Sequence, residues 1–242
     1  MTYCVGVRLD AGLVFASDSR TNAGVDDYAK FCKMTVFERK GDRVIVLLSS
    51  GNLAGTQAVV SLLSKRGDDP ATEESIWTAR TMFDMANVVS DAMRGIERRD
   101  GPFLEASGTK FNASFILGGQ IGAEAPRLFR IYAVGNFIEL GTETPYIQTG
   151  ETKYGKPIID RVITDSTSLA DATKCVLLSF DSTMRSNLSV GMPIDLLCYE
   201  RDSLEVKMKH RYEEGDAYFV QLHQSWAEGI RRIFTELPEP IW

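Results

Sequence analysis

The chain has 242 residues, of which 44% are hydrophobic and 25% charged, and its formal net charge is −6. This length suffices for a substantial core, while the negative charge, with basic residues spread among acidic ones, argues against a nucleic-acid or anionic-membrane surface. No apolar stretch approaches the roughly 20 residues of a membrane span, and no leader sequence precedes the first strand. We therefore expect a single cytoplasmic domain, residues 1–242, without membrane or nucleic-acid partners.

Two strand pairs are predicted first in the chain. Apolar runs at 2–9 and 13–18 flank Asp10-Ala11-Gly12, which predicts a hairpin with a three-residue loop. A second hairpin is predicted from 33–39 and 43–50. Because neither pair alternates cleanly between apolar and polar residues, we expect these strands to be covered on both faces.

The later segments group into helices and strands. Helical spacing of apolar residues predicts helices at 53–65, 72–98, 154–162, 168–180 and 214–235. Strands are predicted at 112–119, 127–134, 137–140, 146–148, 193–201 and 203–209. Strands clustered apart from helices indicate an α+β fold, with layers around an antiparallel sandwich.

Cysteine and histidine usage gives no sign of a metal site. The four cysteines show no C-x-x-C spacing and lie in apolar surroundings, at Cys4, Cys32, Cys175 and Cys198. This pattern suits reduced core thiols better than disulfides or zinc ligands. The two histidines, His210 and His223, are not accompanied by a G-x-S-x-G motif. We expect no metal and no cofactor.

Thr2 is the most informative chemical position. Removal of Met1 would leave it with a hydroxyl and a free α-amine, so that one residue supplies both nucleophile and base. If Leu9 opposes Leu13 across the first turn, Thr2 and Asp18 become diagonal neighbours, roughly 7 Å apart at the backbone. Lys33 and Gly51 share one end of the second hairpin. Side-by-side hairpins with those ends aligned would bring Thr2, Asp18, Lys33 and Gly51 together.

Each of these groups has a chemical reason to be there. An α-amine, with a reference pKa of about 7.7 to 8.0, can accept the hydroxyl proton. A Lys33 ammonium would lower the pKa of the Thr2 hydroxyl, and Asp18 would keep that ammonium charged and oriented. The backbone N–H of Gly51 would point at the oxyanion of a tetrahedral intermediate. Each also has an ordinary structural explanation: Asp18 could cap the turn after its strand, Lys33 could be a solvated strand end, and Gly51 could be a loop glycine.

These motifs resemble a known family. The residues that carry the resemblance are Thr2-x-x-Val5-Gly6-Val7, Asp18-Ser19-Arg20, Lys33 and the run from Ser50 to Gln57. They are similar to proteasome β-type subunits of the N-terminal nucleophile hydrolase superfamily. The Met-Thr-Tyr-Cys-Val start and the runs at 15–26 and 148–157 resemble more closely the bacterial, proteasome-like Anbu family.

The resemblance implies a four-layer αββα sandwich and amide hydrolysis by Thr2 through an acyl-enzyme. It carries the acid–lysine pair onto Asp18 and Lys33 and the oxyanion amide onto Gly51. It also implies a self-compartmentalising homo-oligomer, a ring or an open helical assembly, that cleaves peptides or unfolded proteins. Whether an ATP-driven unfoldase feeds it stays open. The walls of the substrate pocket would come from Arg20, Thr21, Asp26, Phe31 and Asn52.

Two positions depart from the proteasome pattern. Proteasome subunits order the amine with an Asp–Ser pair after the fourth helix; here the acid would be Asp181, in a longer loop, and three serines compete for the second role: Ser182, Ser186 and Ser189. Where proteasome subunits usually have Ser, this chain has Glu151. Its carboxylate would either bind the α-ammonium and raise the pKa of the amine, or pair with Lys153 and stay away.

Three functions fit these residues. The first is a threonine peptidase whose activity depends on the removal of Met1. The second is an assembly or binding protein with the same fold and little or no turnover, which Glu151 and a retained Met1 would favour. The third is a small-molecule amidase of the same superfamily with a closed pocket.

Overall fold

The computed structural model describes residues 2–22 and 28–242. One five-stranded antiparallel sheet has the order β10-β1-β2-β11-β12 and the other β5-β6-β7-β8-β9. The strands of the first sheet are β1 (Tyr3–Leu9), β2 (Gly12–Asp18), β10 (Tyr146–Gly150), β11 (Ile194–Glu200) and β12 (Met208–Tyr212). Those of the second are β5 (Met34–Arg39), β6 (Arg43–Gly51), β7 (Ala113–Ile121), β8 (Arg127–Ile131) and β9 (Phe137–Glu139).

The other described elements are a short ribbon and five helices. The ribbon pairs β3 (Arg20–Asn22) with β4 (Tyr28–Lys30). The helices are α1 (Leu53–Asp68), α2 (Met82–Ala106), α3 (Lys156–Val162), α4 (Leu169–Ser186) and α5 (Ala217–Glu236). None of the described helices is long and apolar enough to cross a bilayer.

Three apolar clusters hold the elements together. Successive side chains of a strand point to opposite faces, so Ile45 and Leu47 of β6 pack against α1 and α2, whereas Val46 and Leu48 face the first sheet. A further cluster lies between the first sheet and the helices α3, α4 and α5. The strands β1, β2 and β6 are therefore buried on both faces, as their continuous apolar sequences predict.

The first hairpin differs from its prediction by one residue. Leu9 pairs with Gly12, so the loop contains two residues and Cys4 faces Ser17 rather than Asp18. The reason is tertiary: Gly12 has φ +144° and also pairs with Glu200 of β11. A Cβ at Gly12 would lie 2.0 Å from the carbonyl oxygen of Tyr199, so the glycine serves the neighbouring strand as well as the turn.

Several element boundaries were also wrong. α2 begins at Met82 instead of 72, with a capping box between Thr81 and Asp84, because side-chain hydrogen bonds of Ser75 and Thr78 hold the preceding residues in turns. α4 continues six residues past its predicted end at 180, to Ser186. The last strand is β12 at 208–212 rather than 203–209, and the β3–β4 ribbon has no counterpart in the prediction.

Candidate active site

A cleft of about 390 Å³ opens where the layer between the two sheets ends. Thr2, Lys33 and Gly51 all line it. They arrive from separate elements: Thr2 precedes β1, Lys33 precedes β5, and Gly51 is the last residue of β6. The structure therefore brings the predicted nucleophile, lysine and oxyanion amide to one cavity, although the predicted hairpin register was incorrect.

Asp18 and Lys33 form a buried pair directly beside Thr2. The Lys33 Nζ donates to Asp18 Oδ1 at 2.8 Å and to the carbonyl oxygen of Arg20 at 2.6 Å. The backbone N–H of Tyr3 donates to the same carboxylate oxygen at 2.9 Å. Asp18 is 0% and Lys33 6% exposed. Asp18 thus anchors both the ammonium and the peptide group that follows Thr2.

The surroundings of Asp18 act on its charge in opposite directions. Burial raises the pKa of its carboxyl, and the Lys33 ammonium and the Tyr3 N–H lower it, with burial the larger effect. Asp18 Oδ2 has no hydrogen-bond partner among the described residues. The charged pair therefore depends strongly on its own geometry, because no solvent supports either member.

The backbone of Thr2 is held from the opposite side by the end of β10. The Glu151 N–H donates to the Thr2 carbonyl oxygen at 2.7 Å. The preceding residue, Gly150, has φ +84°, and a Cβ at this position would lie 1.8 Å from the Thr2 carbonyl oxygen. Only glycine fits this close approach, which explains the glycine of the Thr149-Gly150-Glu151 motif.

The Glu151 carboxylate is held in place beside Thr2. Asn187 Nδ2 donates to Glu151 Oε2 at 2.8 Å, and the Ser189 N–H donates to Asn187 Oδ1 at 2.9 Å. The Lys153 ammonium lies 3.6 Å from Glu151 Oε1, so the carboxylate pairs with Lys153, although the Glu151 residue is only 7% exposed. Sequence reasoning missed Asn187, because the helix predicted to end at residue 180 left it inside a loop, whereas it directly follows α4 in the structure.

The structure does not bring Asp181 to the cleft. Because α4 continues to Ser186, Asp181 lies on a helix rather than in a loop, and its Oδ1 is 2.7 Å from His223 Nδ1 of α5. Asp181 and Ser182 border a different cavity, between α4 and α5. Of the three candidate serines, Ser189 donates its backbone N–H to Asn187, the residue that binds the Glu151 carboxylate.

The predicted substrate-pocket residues have different positions. Arg20 lines the cleft and donates from its Nη1 to the Leu188 carbonyl oxygen at 3.0 Å. Asn52 caps α1 by accepting from the Gly55 N–H at 2.8 Å, and Phe31 is half-buried and not part of the cleft lining. Thr21 belongs to β3. Asp26, like Met1, lies outside the described residues.

Sequence reasoning also missed four polar residues of the cleft. Ser50, Ser114 and Thr149 line it from β6, β7 and β10, and their hydroxyl oxygens lie 2.8, 2.9 and 3.0 Å apart. Arg130 of β8 lines the same cleft. Each is separated in sequence from the others: strand pairing places Ser50 opposite Ser114 and puts β8 beside β7 in the same sheet, and the packing of the two sheets adds Thr149.

This combination defines the class of protein. Two antiparallel sheets packed face to face, with Thr2 beside a buried aspartate–lysine pair at their edge, are typical of proteasome-like subunits. No protein-family model and no curated protein matches the chain; solved structures do.

Among the similar solved structures are Anbu proteins from three bacteria. An Anbu (Gly-1) mutant from Hyphomicrobium sp. strain MC1 is 49% identical over 100% of both chains, with a TM-score of 0.93. Anbu (ancestral β-subunit) from Yersinia bercovieri is 46% identical, with 99% of this chain and 100% of that chain covered and a TM-score of 0.93. The chain in the helical assembly of the Anbu complex from Pseudomonas aeruginosa is 45% identical. The match covers 99% of this chain and 98% of that chain, with a TM-score of 0.93. The chain belongs to the proteasome-like Anbu family.

Proposed function

We propose that this protein is a threonine peptidase that cleaves peptide bonds through an acyl-enzyme after Met1 has been removed. The observation that carries the proposal is the Asp18–Lys33 pair, with Nζ and Oδ1 2.8 Å apart, next to Thr2 in a cleft that Gly51 also lines. Buried charge is costly unless it is paired. A lysine and an aspartate kept at this edge of the sheets therefore favour a chemical role over a purely structural one.

The proposed reaction proceeds in two stages. The Thr2 Oγ attacks the peptide carbonyl carbon while the α-amine takes the hydroxyl proton, and the Lys33 ammonium stabilises the developing negative charge. The Gly51 N–H donates to the oxyanion. When the tetrahedral intermediate collapses, the protonated α-amine gives its proton to the leaving amine. Water then attacks the Thr2 ester, and the same amine accepts a proton and returns it to Oγ.

Glu151 would regulate the base in this mechanism. Its carboxylate is fixed by Asn187 at 2.8 Å and its backbone N–H contacts the Thr2 carbonyl oxygen, and a negative charge on this neighbouring residue would favour the ammonium form of the α-amine. The nucleophile would then be activated less readily near neutral pH than with a neutral residue at 151. The same observation favours the second candidate function, an assembly or binding protein with very slow turnover.

The remaining features of the proposal concern architecture and assembly. We infer that the layers form one four-layer αββα domain, because helices pack on the outer face of each of the two facing sheets. A homo-oligomer is supported by the helical assembly of the Pseudomonas aeruginosa relative. It is also supported by exposed apolar side chains on and after α5, namely Ile233, Phe234, Ile241 and Trp242. The four free cysteines agree with the expected cytoplasmic location.

Covalent labelling tests the peptidase. A peptide epoxyketone or vinyl sulfone should add the mass of one inhibitor molecule to the protein at Thr2, and nothing to the Thr2→Ala variant. The intact mass of the same sample reports whether Met1 has been removed. A folded, processed protein that never labels would instead support the assembly protein.

Light scattering before and after removal of residues 241–242 tests the surface beyond α5. An unchanged oligomer would show that those two residues are not part of the interface.

A further inference from the structure

The cleft is the polar end of an apolar layer. Every second side chain of each strand points into the space between the sheets and joins the inner cluster, which includes Leu48, Ile116, Leu128 and Ile147. Two residues further along each of these strands, on the same face, the residue types change. The positions that would continue the cluster are Ser50, Ser114, Arg130 and Thr149, all of which line the cleft.

The three hydroxyls form a closed set. Their oxygens lie 2.8 Å (Ser50–Ser114), 2.9 Å (Ser50–Thr149) and 3.0 Å (Ser114–Thr149) apart. Each hydroxyl has one proton and two lone pairs, so the set can turn one O–H outward at the expense of a single internal bond. Ser50 and Thr149 are 7% and 2% exposed, and hydroxyls so shielded from water make comparatively strong hydrogen bonds.

Arg130 is the available cation in this cleft. Its Nε is buried and has no hydrogen-bond partner within the described ranges, and its guanidinium carbon lies 4.9 Å from the Tyr132 ring centroid. Arg127, on the same strand, is paired with Glu139 at 2.6 Å, whereas Arg130 forms no ion pair with a carboxylate of the described residues. Lys33 is already bound by Asp18.

The cleft also lacks a carboxylate of its own. Among its described lining residues are Lys33, Arg20 and Arg130, together with several hydroxyls, but no aspartate or glutamate. A buried N–H without an acceptor, such as the Nε–H of the half-buried Arg130, is costly, and the group that best matches a guanidinium beside hydroxyl donors is a carboxylate. This wall belongs to the cleft that Thr2 also lines, and the side chain nearest the attacked carbonyl carbon belongs to the residue that forms the acyl-enzyme.

We propose that Arg130, together with the Ser50–Ser114–Thr149 hydroxyls, binds an acidic side chain, Asp or Glu, of the residue whose carbonyl Thr2 attacks. The proposal rests on the proposed peptidase function and names its substrate class. Neutralisation of the carboxylate would remove the charged hydrogen bonds. Glutamine at that residue should therefore react about tenfold more slowly than glutamate.

Two measurements test this with separate outcomes. The first compares labelling rates of matched peptide vinyl sulfones that carry Glu, Gln or Leu next to the reactive group. The second uses the full-length Thr2→Ala protein and measures, by fluorescence anisotropy, the binding of capped peptides that end in Glu-amide or Gln-amide. We expect Glu to be favoured about tenfold over Gln in both. Failure of every probe to label would contradict the peptidase, while the binding measurement would still decide the acidic preference.

Variants assign the preference to the residues. Arg130→Met should abolish the Glu-over-Gln ratio, and Arg130→Lys should restore only part of it, because the charge returns without the guanidinium geometry. Ser50→Ala should reduce the ratio severalfold. Arg127→Met, a matched change on the same strand, should leave the ratio unchanged. Equal binding of the Glu and Gln peptides by the parent chain, or a ratio that survives Arg130→Met, would overturn the proposal.

Discussion

The two sides of Thr2 are built differently. On the β2 side, Asp18 and Lys33 form a directly bonded ion pair that is almost completely buried. On the β10 side, Glu151 is held by an uncharged amide, Asn187, and by a cation, Lys153, that is itself 69% exposed and 3.6 Å away. The first side is therefore a directly compensated charge pair, whereas the charge of Glu151, itself only 7% exposed, is compensated less directly.

The difference suggests a division of labour. A buried, mutually compensated pair suits the activation of the nucleophile, because its field acts in a region that water does not screen. A carboxylate bound through a neutral amide suits adjustment of the amine, because its charge is only partly compensated. Substitutions of the Asp18–Lys33 pair should therefore have the largest effects, those around Glu151 smaller ones, and a substitution at a residue that belongs to neither side the smallest.

Lys33→Met should have the largest effect. We expect the rate of Thr2 labelling to fall by about 10³-fold, because the charge that stabilises the attacking oxygen is lost. The free energy of unfolding should fall by about 3 kcal/mol, because Asp18 stays buried without its partner. Denaturant unfolding measures the stability, and labelling below the unfolding transition measures the rate. A labelling rate within tenfold of the parent would contradict the role assigned to the pair.

Glu151→Gln should act on the pH dependence. Loss of the carboxylate lowers the pKa of the Thr2 α-amine, so a larger fraction of the amine is the neutral base at a given pH. The rise of the labelling rate with pH should therefore move to lower pH, and the rate at pH 7 should increase by about three- to tenfold. Lys153→Gln is the opposing change, since it removes the cation that partly compensates Glu151 and should move the profile slightly to higher pH. A profile that does not move would show that Glu151 leaves the amine unaffected.

Asn187→Ala should have a smaller effect on the same side. It removes the hydrogen bond that fixes Glu151 and the acceptor for the Ser189 N–H. We expect the free energy of unfolding to fall by about 1 kcal/mol and the labelling rate to change by about two- to threefold. Glu151→Gln and Asn187→Ala combined should show non-additive rates, because both act through the same carboxylate. If the two effects on the labelling rate were strictly additive, Asn187 would not act through the Glu151 carboxylate.

Asp181→Asn should have the smallest effect on labelling. The Asp181 carboxylate contacts His223 on the far end of the α4–α5 interface rather than Thr2. We expect the labelling rate to stay within about twofold, with a loss of unfolding free energy of about 0.5 kcal/mol, typical of a partly exposed pair. Ser182→Ala, a neighbouring change on the same helix, should behave alike. A large loss of labelling with Asp181→Asn would restore the role that the proteasome pattern implies for it.

Part of this organisation could be predicted from the sequence. Thr2, Lys33 and Gly51 each border a strand that a continuous apolar run indicates, so their placement at strand ends followed from local pattern. The position of Asp18 depended on pairing with β1. Its bond to the Tyr3 N–H arises with a two-residue loop instead of the predicted three-residue one, a difference that Tyr199 on the distant strand β11 imposes at Gly12.

Other residues were outside the reach of sequence alone. Asp181 and Asn187 differ in role because α4 continues to Ser186, and helix ends are decided by packing and capping as much as by propensity. The contact of Arg130 with the cleft requires that β8 face the first sheet. By itself, the sequence determined the strands, the helical stripes and the chemistry at Thr2, because these depend on neighbours in the chain. Tertiary structure decided which groups surround Thr2, because its hydrogen bonds and buried charges depend on residues that lie from 15 to more than a hundred positions apart in the chain.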